Sequence, residues 1–113
     1  MIRGKFVLIP FPFDDLSSTK VRPALCLTEP LGPNRHVVMA FLTSRVDPNP
    51  SPTDLILQAR SSDFKATGLR VASTLRLHRL MTVTTSLIRR ELGEISPSLQ
   101  KEVDHRLRYL FAL

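Results

Sequence analysis

The sequence predicts a mostly β protein: a small, strongly bent barrel or sandwich with a C-terminal helix. Three observations predict it. Short β-prone runs recur along the chain, each bounded by turn-forming Pro, Gly, Asp, Asn or Ser. The 113 residues, 42% of them hydrophobic, suffice for one modest core and one domain. Extended helical spacing is clearest in the segment that follows Ser96.

In chain order, Gly4 precedes Lys5-Phe6-Val7-Leu8-Ile9, a first strand ended by Pro10 and Pro12. Asp14 to Lys20 is a polar loop rich in turn formers. Val21 to Thr28 reads as a second strand, in which Pro23 suggests a strand end or an edge position. Glu29 to Asn34 turns the chain. His36 to Thr43 is nearly all apolar, as in a strand covered on both faces. Asp47 to Thr53 holds three prolines, which excludes helix and central strand. Asp54 to Gln58 alternates as a fourth strand. Ser61 to Ala66 suggests a helical turn capped by Ser61 or Ser62 and broken by Gly68. Leu69 to Leu80 reads as a long fifth strand, Thr84 to Glu91 as one or two helical turns, and Leu92 to Ile95 as a short sixth strand. Ser96 is the expected N-cap of the last helix, with Pro97 at its first position. Leu99, Val103, Leu107 and Leu110 then fall on one stripe. An SH3-like barrel with an appended helix fits this order, with no repeat or domain boundary.

Charge narrows the function. Sixteen Lys and Arg against ten Asp and Glu give a net charge of +6, which favours a polyanionic partner. From Phe64 to Arg90 there is no acidic residue, while Lys65, Arg70, Arg76, Arg79, Arg89 and Arg90 are basic. Such a cluster also fits a plain solvated surface. Six Phe, one Tyr and no Trp leave few platforms for stacking bases. One cysteine excludes an internal disulfide, and the apolar run Ala24-Leu25-Cys26-Leu27 suggests a buried, inert thiol. The N-terminal residues lack a signal-peptide layout, and no apolar stretch reaches the roughly 18 residues of a membrane span. The expectation is a cytoplasmic protein with no membrane partner.

His36, His78 and His105 do not share metal-ligand spacing, and there is no glycine-rich phosphate loop or nucleophile elbow. No metal or cofactor is expected. RNA cleavage needs neither. The ribose 2′-hydroxyl is the nucleophile, so the protein must move two protons and stabilise charge on the phosphorane. Residues two apart on a strand share a face. Arg76 and His78 therefore form a possible charge-stabilising and acid–base pair, while Leu75 and Leu77 point the other way. A solvent-facing polar stripe remains the other reading of the same spacing.

The chain resembles the MazF/PemK (Kid-like) toxin family. Gly4, Val7-Leu8-Ile9-Pro10-Phe11-Pro12-Phe13, the loop Asp14 to Thr19, and Lys20-Val21-Arg22-Pro23-Ala24-Leu25 carry the most specific part. Phe41-Leu42-Thr43-Ser44, Ser73 to Val83, and Leu92-Gly93-Glu94-Ile95-Ser96 support it. The resemblance implies one toxin domain over residues 1–113, with the MazF/CcdB/Kid-like fold. It implies that Arg22 and Thr43 contact the scissile phosphate and that Arg76 acts as acid or charge stabiliser. His78 stands where Kid-like members carry an acidic base, a departure that a histidine with its near-neutral pKa can fill. Lys5 stands where the family has Asp or Glu, so that acid's ion pair is absent or rewired.

The expected function is a sequence-specific, metal-independent endoribonuclease. It would cleave single-stranded RNA to 2′,3′-cyclic phosphate and 5′-hydroxyl ends and be neutralised by a cognate acidic antitoxin. Ser17, Ser18, Thr19, Lys20, Ser44 and Arg79 would bind the RNA beside the catalytic Arg22, Thr43, Arg76 and His78. A homodimer is expected, because Ala24 to Leu27 and His36 to Thr43 are apolar on both faces and the family points the same way. Two other functions stay open: a non-catalytic barrel toxin that binds a protein such as a topoisomerase, and a degenerate toxin acting as a nucleic-acid-binding regulator.

Overall fold

The computed structural model describes residues 1–10 and 20–113. Among them, one sheet runs through β1 (Lys5–Pro10), β2 (Val21–Cys26), β3 (His36–Thr43), β4 (Asp54–Leu57), β5 (Ser73–Thr84) and β6 (Arg90–Glu94). A short helix, α1 (Phe64–Thr67), precedes β5, and α2 (Pro97–Phe111) closes the order. The strands pair antiparallel in the order β4-β5-β3-β2-β1-β6 and curl into a half-barrel. The fold is mostly β with a C-terminal helix, as the sequence predicts.

Strand alternation sorts the core into two layers. Phe6, Leu25, Ala40, Leu42, Leu75 and Leu77 face α1 and α2, where Phe64, Ile95 and Val103 meet them. Val7, Ile9, Ala24, Cys26, Val37, Met39 and Phe41 form the second layer on the opposite face. Ala24, Leu25, Cys26, Val37, Met39 and Ala40 are all 0% exposed within a single chain. The two-sided apolarity that suggested a dimer is thus satisfied by the chain's own residues.

Pro23 lies in an interior strand rather than at the sheet edge. It pairs with Leu8 of β1, but β2 pairs with β3 only from Ala24↔Phe41 onward. The β3 side of the strand is open at Pro23, so the missing N–H removes no bond to β3. β2 ends at Cys26, short of Thr28. β5 starts at Ser73 and runs to Thr84, later at both ends than the apolar pattern suggests. Its β-branched end pairs with the first residues of β3, Val83↔Val37 and Thr84↔His36. The helical turns expected up to Glu91 shrink to a 3₁₀ turn over Thr85–Leu87, because Arg90 and Glu91 join β6 beside Leu8 and Val7.

α1 has Asp63 as N-cap and no side-chain cap bond; Ser61 instead accepts the Asp63 N–H. Gly68 ends it in the left-handed region, at φ 73°. A Cβ there would land on the Leu92 carbonyl, and a Cβ at Gly93 would land on that of Ala66. The two glycines let α1 and β6 touch backbone to backbone. In α2, Ser96 accepts the Leu99 N–H at 3.2 Å, and Leu99, Val103 and Leu107 pack onto the core. Lys5 forms ion pairs with Glu91 at 3.0 Å and Glu94 at 3.5 Å, so the expected rewiring runs to β6. No described helix is long and apolar enough to cross a membrane.

Candidate functional site

Where β2 and β3 part beyond Ala24 and Phe41, a cleft of about 630 Å³ opens. Arg22 and Pro23 of β2 flank it, with Thr43, Ser44 and Arg45 at the end of β3. Gly68 to Val71 and β6 residues Arg90 and Leu92 also line it. Arg76 and Arg79 of β5 both reach it, which strict alternation does not allow for residues three apart. The register explains this. Ala40 pairs with Leu80 but Leu42 with Leu75, so residues 76–79 oppose Phe41 alone and the alternation of β5 is broken there.

Arg22, Arg45, Arg70, Arg76, Arg79 and Arg90 line the cleft, and among the described residues its lining contains no carboxylate. Arginine stays protonated in proteins, so the charge is permanent and suits phosphate. The turn after β3 is held locally. The Arg45 N–H donates to Thr43 Oγ1 at 3.2 Å, and Thr74 Oγ1 donates to the Arg45 carbonyl at 2.8 Å.

Behind Arg76 sits Asp54, directly across the β4–β5 pair and 6% exposed. Its Oδ1 lies 3.6 Å from Arg76 Nε and 3.8 Å from His78 Nδ1, while Oδ2 accepts the Ser51 N–H at 3.1 Å. His78 Nδ1 is also 3.3 Å from Thr53 Oγ1. Among the described residues, no group of three or more His, Cys, Asp and Glu is placed to hold a metal ion. Cys26 lies in the second core layer, away from the cleft lining. Burial, with Glu29 and Glu91 adding to it, pushes its thiol pKa up to about 11.

Arg22, Thr43, Ser44, Arg76 and Arg79, all singled out from sequence, thus converge on one cleft. His78 adjoins Arg76 through Asp54 but is not part of the lining. Lys20 is exposed just before β2 and also outside it. Ser17, Ser18 and Thr19 lie outside the described residues. Sequence reasoning passed over Asp54 and Arg45. The signal for Asp54 was a lone carboxylate heading the apolar run Leu55-Ile56-Leu57. Arg45 offered only its place next to Thr43-Ser44.

Solved structures share this architecture. An endoribonuclease in complex with its cognate antitoxin, from a mycobacterial species, superposes with a TM-score of 0.72 at 18% identity, covering 100% of this chain and 96% of that one. Mycobacterium tuberculosis toxin MazF-mt6 gives 0.70 at 19% identity, covering 98% of each chain. MazF from Deinococcus radiodurans gives 0.67 at 19% identity, covering 98% of this chain and 94% of that one. No curated protein matches the chain closely. At these identities the structures speak for the fold alone. The family model for PemK-like, MazF-like toxins of type II toxin–antitoxin systems matches residues 2–111, nearly end to end. The chain belongs to that toxin family.

Proposed function

We propose that this toxin is a metal-independent endoribonuclease that cleaves single-stranded RNA at short sequence motifs. The observation that carries the reading is the convergence of Arg22, Thr43, Arg76 and Arg79 on one arginine-lined cleft. A phosphodiester in that cleft meets fixed cations suited to the charge that builds on its oxygens during attack. The 2′-oxygen bonds to phosphorus and loses its proton to a base; the bond to the 5′-oxygen breaks and that oxygen gains a proton. Arg22 and Thr43 hold the phosphate, and Arg76 stabilises the phosphorane. His78, on the strand of Arg76, is the acid–base group. Ser44, Arg79, Lys20 and the loop residues Ser17, Ser18 and Thr19 bind the flanking nucleotides. DNA lacks the nucleophile and is not cut.

The family assignment and the basic cleft also support a cognate antitoxin with an acidic segment that enters the cleft and excludes RNA. The family assignment, and not the apolar faces of β2 and β3 that one chain already buries, supports a cytoplasmic homodimer of single-domain chains as the active unit. The test is a defined RNA incubated in EDTA, with analysis of the ends. Products with 2′,3′-cyclic phosphate and 5′-hydroxyl termini are expected. Loss of cleavage in EDTA, or 5′-phosphate ends, overturns the mechanism.

A further inference from the structure

Asp54 is a buried carboxylate whose two oxygens do different things. Oδ2 accepts the Ser51 N–H, and the Asp54 N–H donates to the Ser51 carbonyl at 3.0 Å, so this half of the side chain serves the turn into β4. Oδ1 is buried without a hydrogen bond, and so is Arg76 Nε, 3.6 Å away. No hydrogen bond among the described residues uses that oxygen. Yet it sits between Arg76 Nε and His78 Nδ1, at distances too long for hydrogen bonds. Buried polar atoms are normally satisfied, and an orphan beside candidate catalytic groups calls for a functional reason. The placement is held by pairing on both sides of Asp54. Asp54 pairs with Arg76 across the strands, Leu77 N–H donates to the Thr53 carbonyl at 3.0 Å, and Arg106 of α2 donates to the Pro52 carbonyl at 2.9 Å.

Building on the RNA-cleavage reading above, we propose that Asp54 is the positioning residue of the site. Its Oδ1 holds the guanidinium of Arg76 by the Nε edge, which leaves the terminal nitrogens for phosphate. Together with the Thr53 hydroxyl, 3.3 Å from the same nitrogen, it also selects the His78 tautomer with the proton on Nδ1, which leaves Nε2 as the atom that accepts the 2′-hydroxyl proton. His78 Nε2 makes no hydrogen bond among the described residues, consistent with that use. Contacts of this kind commonly shorten when substrate binds. A carboxylate behind a histidine does this elsewhere, and losing it costs rate through the wrong tautomer.

Two measurements test it. The ¹⁵N spectrum of the wild-type imidazoles, recorded at alkaline pH, should show His78 protonated at Nδ1. Exposed His36 and His105 should favour Nε2. His78 sharing their tautomer overturns the assignment, whether or not RNA is cut. Asp54→Asn keeps an oxygen for Ser51 but presents an amide donor to Arg76 and His78. It should lower kcat by at least about tenfold, as supporting partners of a catalytic group do. Affinity for an RNA made uncleavable by 2′-deoxy substitution should change less than about threefold. Asp54→Glu should recover part of kcat. Equal loss of affinity and rate, or wild-type kcat, shows a purely structural aspartate. If Asp54→Asn fails to fold, the wild-type spectrum still decides. Wild-type protein that cuts no RNA refutes the proposed function, while the spectrum still judges the hold of Asp54 on His78.

Discussion

Replacing Gly93 with alanine should destabilise the protein strongly, and the structure sets the scale. The added Cβ would fall on the Ala66 carbonyl oxygen and within 2.6 Å of the Thr67 carbonyl oxygen. Both obstacles are backbone, so no side chain can swing away. Forcing a methyl group into packed surroundings costs about 1–3 kcal/mol, and immovable neighbours place this site at the upper end. For a chain of 113 residues, each kcal/mol lowers Tm by about 4 °C, so a fall of about 12 °C is expected. Gly32→Ala is the control. Its φ of +72° is strained for alanine, but a Cβ there meets nothing within 4 Å, so it should cost only about 1 kcal/mol. Thermal unfolding of the two variants by circular dichroism separates steric overlap from backbone strain. A fall for Gly93→Ala no larger than for Gly32→Ala refutes the reasoning.

Arg22→Ala should abolish detectable RNA cleavage while leaving the fold intact. A charge contact made in the transition state is worth about 3–4 kcal/mol, or roughly 10²–10³ in rate; a folded variant that cuts at wild-type rate shows that Arg22 is not at the phosphate. Glu29 accepts the N–H groups of Ile2 at 2.8 Å and Arg3 at 3.1 Å. These bonds, the Ile2 bond first, hold its pKa below the usual carboxylate value. Its contribution is therefore present above the unfolded-state pKa of about 4.3 and fades as pH falls through the lower folded value. Unfolding by urea should show Glu29→Gln losing less stability than wild type between pH 6 and pH 3; parallel curves would refute the linkage. Cys26, buried and with its thiol pKa pushed up to about 11, should resist a thiol reagent at pH 8 in the folded protein and react at once in guanidinium; rapid labelling of the native state would show that the second core layer opens readily.

What was legible in the sequence was local. The span of β3 follows from an unbroken apolar run, and the start of α2 from a serine cap followed by proline. Gly68 marks a helix end because few other residues accept its backbone angles. The convergence of Arg22, Thr43 and Arg76 was expected from the family resemblance, and these three do line one cleft, whereas His78, paired with Arg76 by the facing rule, lies outside its lining. What escaped depends on partners far along the chain. Arg79 was expected beside Arg76, but the irregularity that lets residues three apart share the cleft exists only because β3 and β5 change register at Phe41. No alternation rule contains that slip. Asp54 is ambiguous for the same reason, since an aspartate at a strand start is an ordinary turn residue until β4 pairs with β5 and sets it opposite Arg76.

The sheet order has a consequence for how this toxin comes into being. β6 pairs with β1, and the cleft takes its walls from Leu8 at one end of the sequence to Arg90 and Leu92 at the other. Synthesis delivers these parts in order, and the stretch from Arg22 to Arg90 takes on the order of seconds to emerge. Throughout that interval the early arginines exist without the wall that completes their cleft. Long-range pairings of this kind also close late and slowly. A chain still growing on the ribosome therefore lacks the Arg90 and Leu92 wall of its cleft until β6 docks against β1.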